Sequence, residues 1–377
     1  MGQPVSDNPP IPHHAPLGGL PTDVAIVHDY LNQRGGAERV VLEMAAMFPN
    51  APLYTSLYRP SSTFPQYSTL DVRTSFVDRL PVDRHFRALF ALYPAAFRVL
   101  GPIDAELVIS SSSGWAHTVR TSARAFHAVY CYTPARWLYG GYLTHVSTQR
   151  ALAPLWTMFR RIDIAAAGRA DLYIAISEHV RERIRRCYGH DAPVVHPPVD
   201  IGRFTPRPRG ERLLVVSRLM PYKRVDLAVD AATRAGIGLD VVGSGPAAAD
   251  LRRRAGPTVR FHGNLPDAEI TALFESCRTV CLPGVEDFGI VPVEANAAGK
   301  PVVAFAGGGA LETVQEGVGG VFFREQSPQA LLAALDRCDE IASTPERIAQ
   351  NAQRFSRNTF QRRLGSVLAE ALAARLS

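Results

Sequence analysis

Gly284-Val-Glu-Asp-Phe-Gly-Ile-Val-Pro-Val-Glu-Ala-Asn-Ala-Ala-Gly299 is the stretch from which the rest of this chain can be read. It places two carboxylates, Glu286 and Glu294, with seven residues between them, around Phe288-Gly289 and Pro292. Pro283 and Gly284 end an apolar run, Thr279 to Leu282, that reads as a buried strand. Pro292 suits the first turn of a helix, where its missing N–H would have had no partner. Gly299, followed by Lys300-Pro301, closes that helix. Glu286 is therefore expected in the loop and Glu294 in the helix's first turn. Asp287, Phe288, Gly289 and Ile290 fall between them, at a helix N-terminus whose N–H groups and positive dipole end suit an anion such as a diphosphate. A surface loop followed by an exposed helical Glu is the competing reading. It leaves the glycines and the strand–loop–helix order without a reason.

Working outward, the same alternation recurs along the chain. From Val24 it reads strand, Gly35-Gly36 turn, then helix from Ala37 to Met47, with further strands at Leu107–Ser110, Ala128–Tyr130 and Leu172–Ile176. A second series runs through Arg212–Val216, Leu239–Val242, Val259–Phe261, Thr279–Leu282 and Pro301–Phe305. Strand–helix alternation repeated twice predicts an α/β protein of two Rossmann-like, doubly wound parallel sheets. The expected division is a flexible tail at 1–21, a first domain at 22–205, a second at 206–355, and a terminal helix at 356–377. The proline-rich stretch from Pro197 to Pro208 is the linker. The tail is rich in proline and glycine and has no apolar core of a signal peptide.

A length of 377 residues is long for one core and suits two domains. Charged residues at 20% and apolar ones at 46% exclude a disordered chain, and no apolar run is long enough to span a bilayer. The expectation is a cytoplasmic protein. Its net charge of +6, carried mostly by arginine, would let it meet the inner face of an anionic membrane peripherally. The segment from Arg79 to Pro94 mixes Arg, His and aromatics and is where such a contact is first sought, although a core-facing helix accounts for it more simply. Five cysteines without a CxxC pair support neither a disulfide frame nor a zinc site.

Ser217-Arg218-Leu-Met-Pro-Tyr-Lys223 follows the first strand of the second series. A guanidinium and an ammonium at a strand's carboxyl end can neutralise a departing diphosphate. Gly35-Gly36 lets backbone approach a phosphate closely, but without a third glycine it is not a dinucleotide fingerprint. Gly243-Ser-Gly245 is a comparable turn after a strand.

Taken together, the Glu286–Glu294 stretch, Arg218 with Lys223, and the neighbourhoods His28-Asp-Tyr-Leu-Asn-Gln-Arg-Gly-Gly-Ala-Glu-Arg39 and Cys131-Tyr-Thr-Pro-Ala-Arg136 resemble glycosyltransferase family 4. The likeness is to a bacterial subgroup that includes mannosyltransferases of O-antigen and exopolysaccharide assembly, and it covers Val24 to about Leu372. It implies the GT-B architecture, with two domains facing a cleft and a terminal helix crossing back to the first. It implies a retaining sugar transfer from a nucleoside diphosphate sugar, GDP-mannose by subgroup, to a glycan or a polyprenyl- or other lipid-linked acceptor. Glu286 would lie beside the donor sugar and Glu294 would bind the ribose. Arg218 and Lys223 would stabilise the leaving diphosphate, with the amides of Phe288 and Gly289. His117, in Ser110-Ser-Ser-Ser-Gly-Trp-Ala-His117, is the candidate for a histidine contacting the sugar. Leu265, in Gly263-Asn-Leu265-Pro266, would face the base, and Gly35, Gly36, Gly243, Asp287 and Ile290 would line the donor.

No Asp-x-Asp triplet occurs, so neither a metal nor any other cofactor is expected, and no nucleic-acid partner is implied. Three rival readings are a UDP-sugar donor on the same fold, a sugar phosphorylase, and a non-catalytic nucleotide-binding subunit.

Overall fold

A computed structural model describes residues 19–80, 89, 91–139 and 153–376. The tail before residue 19 and most of the basic–aromatic segment, residues 81–88 and 90, lie outside the described residues. The chain forms two units. One contains the residues up to Pro197 and those from Phe360 onward, and the other is Pro198–Thr359.

The first unit carries β1 (Val24–His28), β2 (Leu53–Thr55), β3 (Val72–Thr74), β4 (Leu107–Ser112), β5 (Phe126–Cys131) and β6 (Leu172–Ala175). They pair in parallel in the order β3-β2-β1-β4-β5-β6. The second carries β7 (Leu213–Val216), β8 (Leu239–Val242), β9 (Val259–Gly263), β10 (Thr279–Leu282), β11 (Val302–Phe305) and β12 (Gly320–Phe323). Its order, β12-β11-β10-β7-β8-β9, is the same winding traced from the other edge. In each sheet the strand order reverses once, between β1 and β4 and between β7 and β10. Open α/β sheets bind ligands at that reversal, beyond the strands' carboxyl ends.

The strands read as near-continuous apolar runs because both faces are covered. Every residue of β1, β4, β5, β8 and β10 is buried. In the second unit Leu213, Val215, Val241 and Val303 pack with Val229 and Leu331 of the flanking helices Val225–Ala235 and Pro328–Asp339. In the first, Val27 and Val108 pack with Phe97, Trp115 and Phe159. Each fully buried side chain of this kind contributes about 1.5–3 kcal/mol. β2, β3 and β12 were not anticipated. β2 and β3 are three residues long, too short for a pattern to register, whereas β12 is as long as several anticipated strands.

The division falls at Pro197–Pro198 and inside the last helix, against an expected 205/206 and 355/356. The linker belongs to the second unit because Val199 N–H donates to the Phe355 carbonyl at 2.8 Å and Arg357 pairs with Asp200 at 3.3 Å. Lys300 tightens the same join, donating to the carbonyls of Arg207, at 3.0 Å, and Pro208. The helix Arg357–Leu376 then returns to the first unit. Phe360 sets its ring edge-on to Tyr130 at 5.8 Å, Leu364 and Leu368 are fully buried, and Arg375 donates to the Ala125 carbonyl at 2.8 Å. Among the described residues no helix is long and apolar enough to cross a membrane.

Candidate functional site

The second unit's reversal is built from the loops after β7 and β10. After β7, a single turn, Pro221–Lys223, ends in Arg224 with φ +51°, a left-handed backbone uncommon outside glycine. The Arg224 guanidinium fixes it there, donating to both Asp226 oxygens and, at 3.1 Å, to Gln326, whose amide donates to the Pro283 carbonyl at 3.2 Å. The two loops therefore touch backbone to backbone. A Cβ on Gly284 would stand 2.6 Å from the Lys223 carbonyl oxygen, which explains the glycine. This contact carries Lys223 Nζ onto Glu286 Oε1, where the two form a charge-assisted hydrogen bond in a half-buried position.

Glu286 is held from the other side by the glycine turn after β11. Gly309 N–H donates to the Glu286 carbonyl at 2.9 Å, and Gly308, at φ +63°, has no room for a Cβ beside the same oxygen. Phe288 is buried against Phe355 at 5.5 Å. Gly289, at φ +90°, caps the helix Ile290–Ala297. That helix begins two residues before Pro292, so Glu294 lies one turn in rather than in the first turn expected. Among the described residues nothing accepts from the amides of Gly289 and Ile290, as at any helix start without a capping side chain.

Glu294 pairs with Arg203 at 2.8 Å. Arg203 also faces Asp267 at 3.6 Å and lies over the Phe204 ring at 4.5 Å, while its buried Nε has no acceptor among the described residues. Arg203 thereby ties the helical carboxylate to the Leu265–Asp267 turn; Leu265 itself is half-buried. Arg218 is exposed, donating to Tyr222 Oη at 3.2 Å, with no acidic partner among the described residues. Gly243, at φ +125°, accepts no Cβ because the Ser217 carbonyl would be 1.9 Å away. The Gly243–Gly245 turn thus braces the Arg218 loop. Arg203, Arg224 and the Gly307–Gly309 brace complete the site. The sequence signals only the last of these, as a glycine run, and the two arginines look like ordinary surface charge.

In the first unit, Gly35 caps the helix Gly36–Met47, and a Cβ there would lie 2.5 Å from Glu38 Oε2. Asp29 fills the reversal. Its carboxylate accepts from the Ser113 amide at 2.6 Å and hydroxyl at 3.0 Å, and from the Trp115 and Ala116 amides at 2.9 and 2.8 Å. His117 follows on the turn Ala116–Thr118 and is 3% exposed. Its ring nitrogens face Ser112 Oγ at 3.4 Å and Asp163 at 3.2 Å. Asp163, fully buried, also accepts from Tyr139 Oη at 2.7 Å, and burial and this carboxylate raise the Tyr139 pKa.

The architecture is that of the GT-B glycosyltransferases. Residues 34–203 match Glycosyltransferase Family 4, and residues 202–355 match Glycosyl transferases group 1. The chain belongs to glycosyltransferase family 4, with the GT-B fold. It is 30% identical over 256 residues to the GDP-mannose-dependent alpha-(1-6)-phosphatidylinositol monomannoside mannosyltransferase of Mycolicibacterium smegmatis, covering 58% of this chain and 65% of that one. It is 29% identical over 258 residues to D-inositol 3-phosphate glycosyltransferase of Streptomyces griseus, covering 54% of each. The matches thus span about half to two thirds of these relatives. Among solved structures, Anabaena Alr3699/HepE in complex with UDP superposes with a TM-score of 0.70 at 20% identity, covering 92% of this chain and all of that one. Sucrose-phosphate synthase from Thermosynechococcus elongatus superposes at 0.71 with 18% identity, covering 93% of this chain and all of that one.

Proposed function

We propose that the chain is a retaining glycosyltransferase that moves mannose from GDP-mannose to a glycan or lipid-linked acceptor. The observation that carries this reading is the Lys223–Glu286 pair at the β7/β10 reversal, beside the start of the helix Ile290–Ala297. A diphosphate there meets the Lys223 ammonium, the Arg218 guanidinium and the amides of Gly289 and Ile290. These are donors already aimed where negative charge grows as the sugar–phosphate bond breaks, and they need no metal. Glu286, anchored at its carbonyl by Gly309, lies beside the sugar and favours the oxocarbenium-like carbon. Glu294 accepts from the ribose hydroxyls, aimed by Arg203.

The acceptor hydroxyl attacks on the face that the diphosphate leaves, so configuration is kept without a protein nucleophile. Accordingly the two carboxylates do not form a hydrolase acid–base pair. His117 contributes by shaping the loop after β4. For its ring to take a sugar hydroxyl, the buried Nε2, which faces Asp163 without a hydrogen bond among the described residues, must first be uncovered. Mannose and guanosine are supported by the Mycolicibacterium smegmatis relative's stated donor.

A thermal-shift panel with GDP, GDP-mannose, UDP, UDP-glucose and NAD, without metal, tests the assignment. A ligand at 100 times its Kd adds about 2.7 kcal/mol to stability. Stabilisation by GDP and GDP-mannose alone is the expected result. A response to UDP ligands alone would replace the donor, and a response to none would remove the site.

A further inference from the structure

Two buried amides in the second unit are locked end to end. Asn296, in the helix Ile290–Ala297, is fully buried, and Asn351, in the helix Pro345–Ala352, is 4% exposed. Asn296 Nδ2 donates to the carbonyls of Lys300 at 3.0 Å and Gly319 at 2.9 Å. Carbonyls only accept, so the Asn296 amide stands one way round, with its oxygen toward Asn351. Asn351 Nδ2 donates to that oxygen at 2.8 Å and gives its other hydrogen to the Thr313 carbonyl, also at 2.8 Å. The Asn351 oxygen then accepts at 3.0 Å from Arg354 Nη1, a group that only donates. With acceptors at one end and a donor at the other, neither amide can flip. Gly319 keeps the room they need, since a Cβ there would stand 2.6 Å from Asn296 Oδ1.

The lock joins two elements of the candidate site. Asn296 lies two residues after Glu294 on the same helix. Thr313 ends the turn Ala310–Thr313, which follows Gly307–Gly309. Its amide and hydroxyl both donate to the Gly309 carbonyl, at 3.1 and 3.2 Å, and Gly309 N–H in turn holds the Glu286 carbonyl. Arg354 Nη2 donates to the Glu312 carbonyl of the same turn at 3.2 Å. Asn351 thus bridges the helix that carries Glu294 and the turn that anchors Glu286, without a hydrogen bond to either carboxylate among the described residues. Without Asn351, Asn296 would keep its bonds to Lys300 and Gly319, so the helix of Glu294 stays held. What is released is the turn behind Glu286.

We propose that Asn351 is a positioning residue for sugar transfer, fixing Glu286 relative to Glu294. The inference rests on the donor reading above, in which Glu286 lies beside the sugar and Glu294 meets the ribose. It extends that reading to a residue with no contact of its own to the donor.

Hydrogen exchange and ligand binding on the full chain test it together. In Asn351→Ala the Gly309 amide should exchange about tenfold faster, while amides of β8 and β10 keep their rates, because the opening is local. Affinity for the nucleotide sugar that stabilises the chain in the thermal-shift panel should fall by about tenfold, since the sugar is the part that Glu286 meets. Affinity for the matching nucleoside diphosphate, which keeps the Glu294 contact, should change by less than about twofold. A residue that only supports the fold would speed exchange throughout or weaken both ligands alike, and either result overturns the proposal. So does an unchanged Gly309 amide. If Asn351→Ala does not fold, Arg354→Ala takes its place: Arg354 is exposed, and loss of its bonds to Asn351 and Glu312 should give the same pattern at smaller size. A wild-type chain that answers to no nucleotide is a separate failure. It removes the donor reading, and a loosened Gly309 amide would then have no reaction to serve.

Discussion

The two sheets have one strand order and opposite treatment of the place where that order reverses. Between β1 and β4 the gap is closed: Asp29 draws the chain from Ser113 to Ala116 around its carboxylate with four donated hydrogen bonds. Between β7 and β10 it stays open. There the nearby carboxylate, Glu286, meets the Lys223 ammonium, and Arg218 stands in solvent. The same topology therefore offers two equivalent crevices, and side-chain chemistry decides which can take an anion. A buried carboxylate satisfied by fixed amides repels one, whereas a cationic pair beside a helix start attracts it.

The largest effect should come from reopening the closed crevice. Asp29→Ala leaves the Trp115 and Ala116 amides without an acceptor in the interior, and the Ser113 amide and hydroxyl without one in a half-buried position. At about 1–3 kcal/mol for each unsatisfied buried group, a loss of about 4 kcal/mol or more is expected in urea unfolding. A loss near 1 kcal/mol would mean that the loop after β4 finds other partners, and the closed–open contrast would fail. Next comes the open crevice itself. Lys223→Ala should keep the fold and lower kcat by about 100- to 1,000-fold, the scale of one preorganised transition-state donor. Near-normal turnover on the nucleotide sugar would remove Lys223 from the chemistry.

How much of this contrast could be read in the sequence depends on how local each feature is. The Glu286–Gly299 stretch is self-contained, because strand end, glycine, proline and helix follow within one segment; Pro292 falls in the first turn as expected, and only Glu294 lies further in. Most of the anticipated strands are apolar runs, and β2 and β3 are three residues long, but β12, Gly-Val-Phe-Phe, is as apolar and as long as its anticipated neighbours. Asp29 could not be recognised as a plug, since its four donors come from 84 to 87 positions away. Arg203 pairs with Glu294 across 91 positions, and its chemistry is invisible until the linker folds onto the second unit. His117 was legible as special but not as buried, because Asp163 reaches it from a helix of its own.

Acid should separate the units further. His127, in β5 of the first unit, is fully buried with its Nε2 2.8 Å from Ser110 Oγ. Burial, then repulsion from His117 and Arg169, holds its pKa down at about 3. Above the unfolded value near 6.5 the folded and unfolded chains bind the same number of protons there. As pH falls from 6.5 toward 3, only the unfolded chain takes up the proton, and stability is lost. Between pH 7 and pH 5 the loss should be about 2 kcal/mol. Trp115, Trp137 and Trp156 all lie in the first unit, so tryptophan fluorescence follows its unfolding alone. A first unit equally stable at both pH values, or a His127→Gln variant with an unchanged acid slope, would exclude His127 as the cause.

The smallest effect tests whether the open crevice is preorganised or merely unfilled. Arg203 holds Glu294 Oε1 at 2.8 Å while stacked on Phe204, whose ring meets Phe274 edge-on at 5.5 Å. If this grip aims the carboxylate at the ribose, Arg203→Ala should weaken nucleotide-sugar binding by about tenfold, or 1.4 kcal/mol, with kcat little changed. Arg203→Lys, which keeps the charge but loses the planar fork, should recover only part of it. Tighter binding in Arg203→Ala would mean the opposite: the arginine competes with the ribose for Glu294, and the second crevice too is partly closed until the donor arrives. Isothermal titration with the nucleoside diphosphate, which lacks the sugar, separates the two cases, because the ribose contact remains and the Glu286 contact to the sugar is absent.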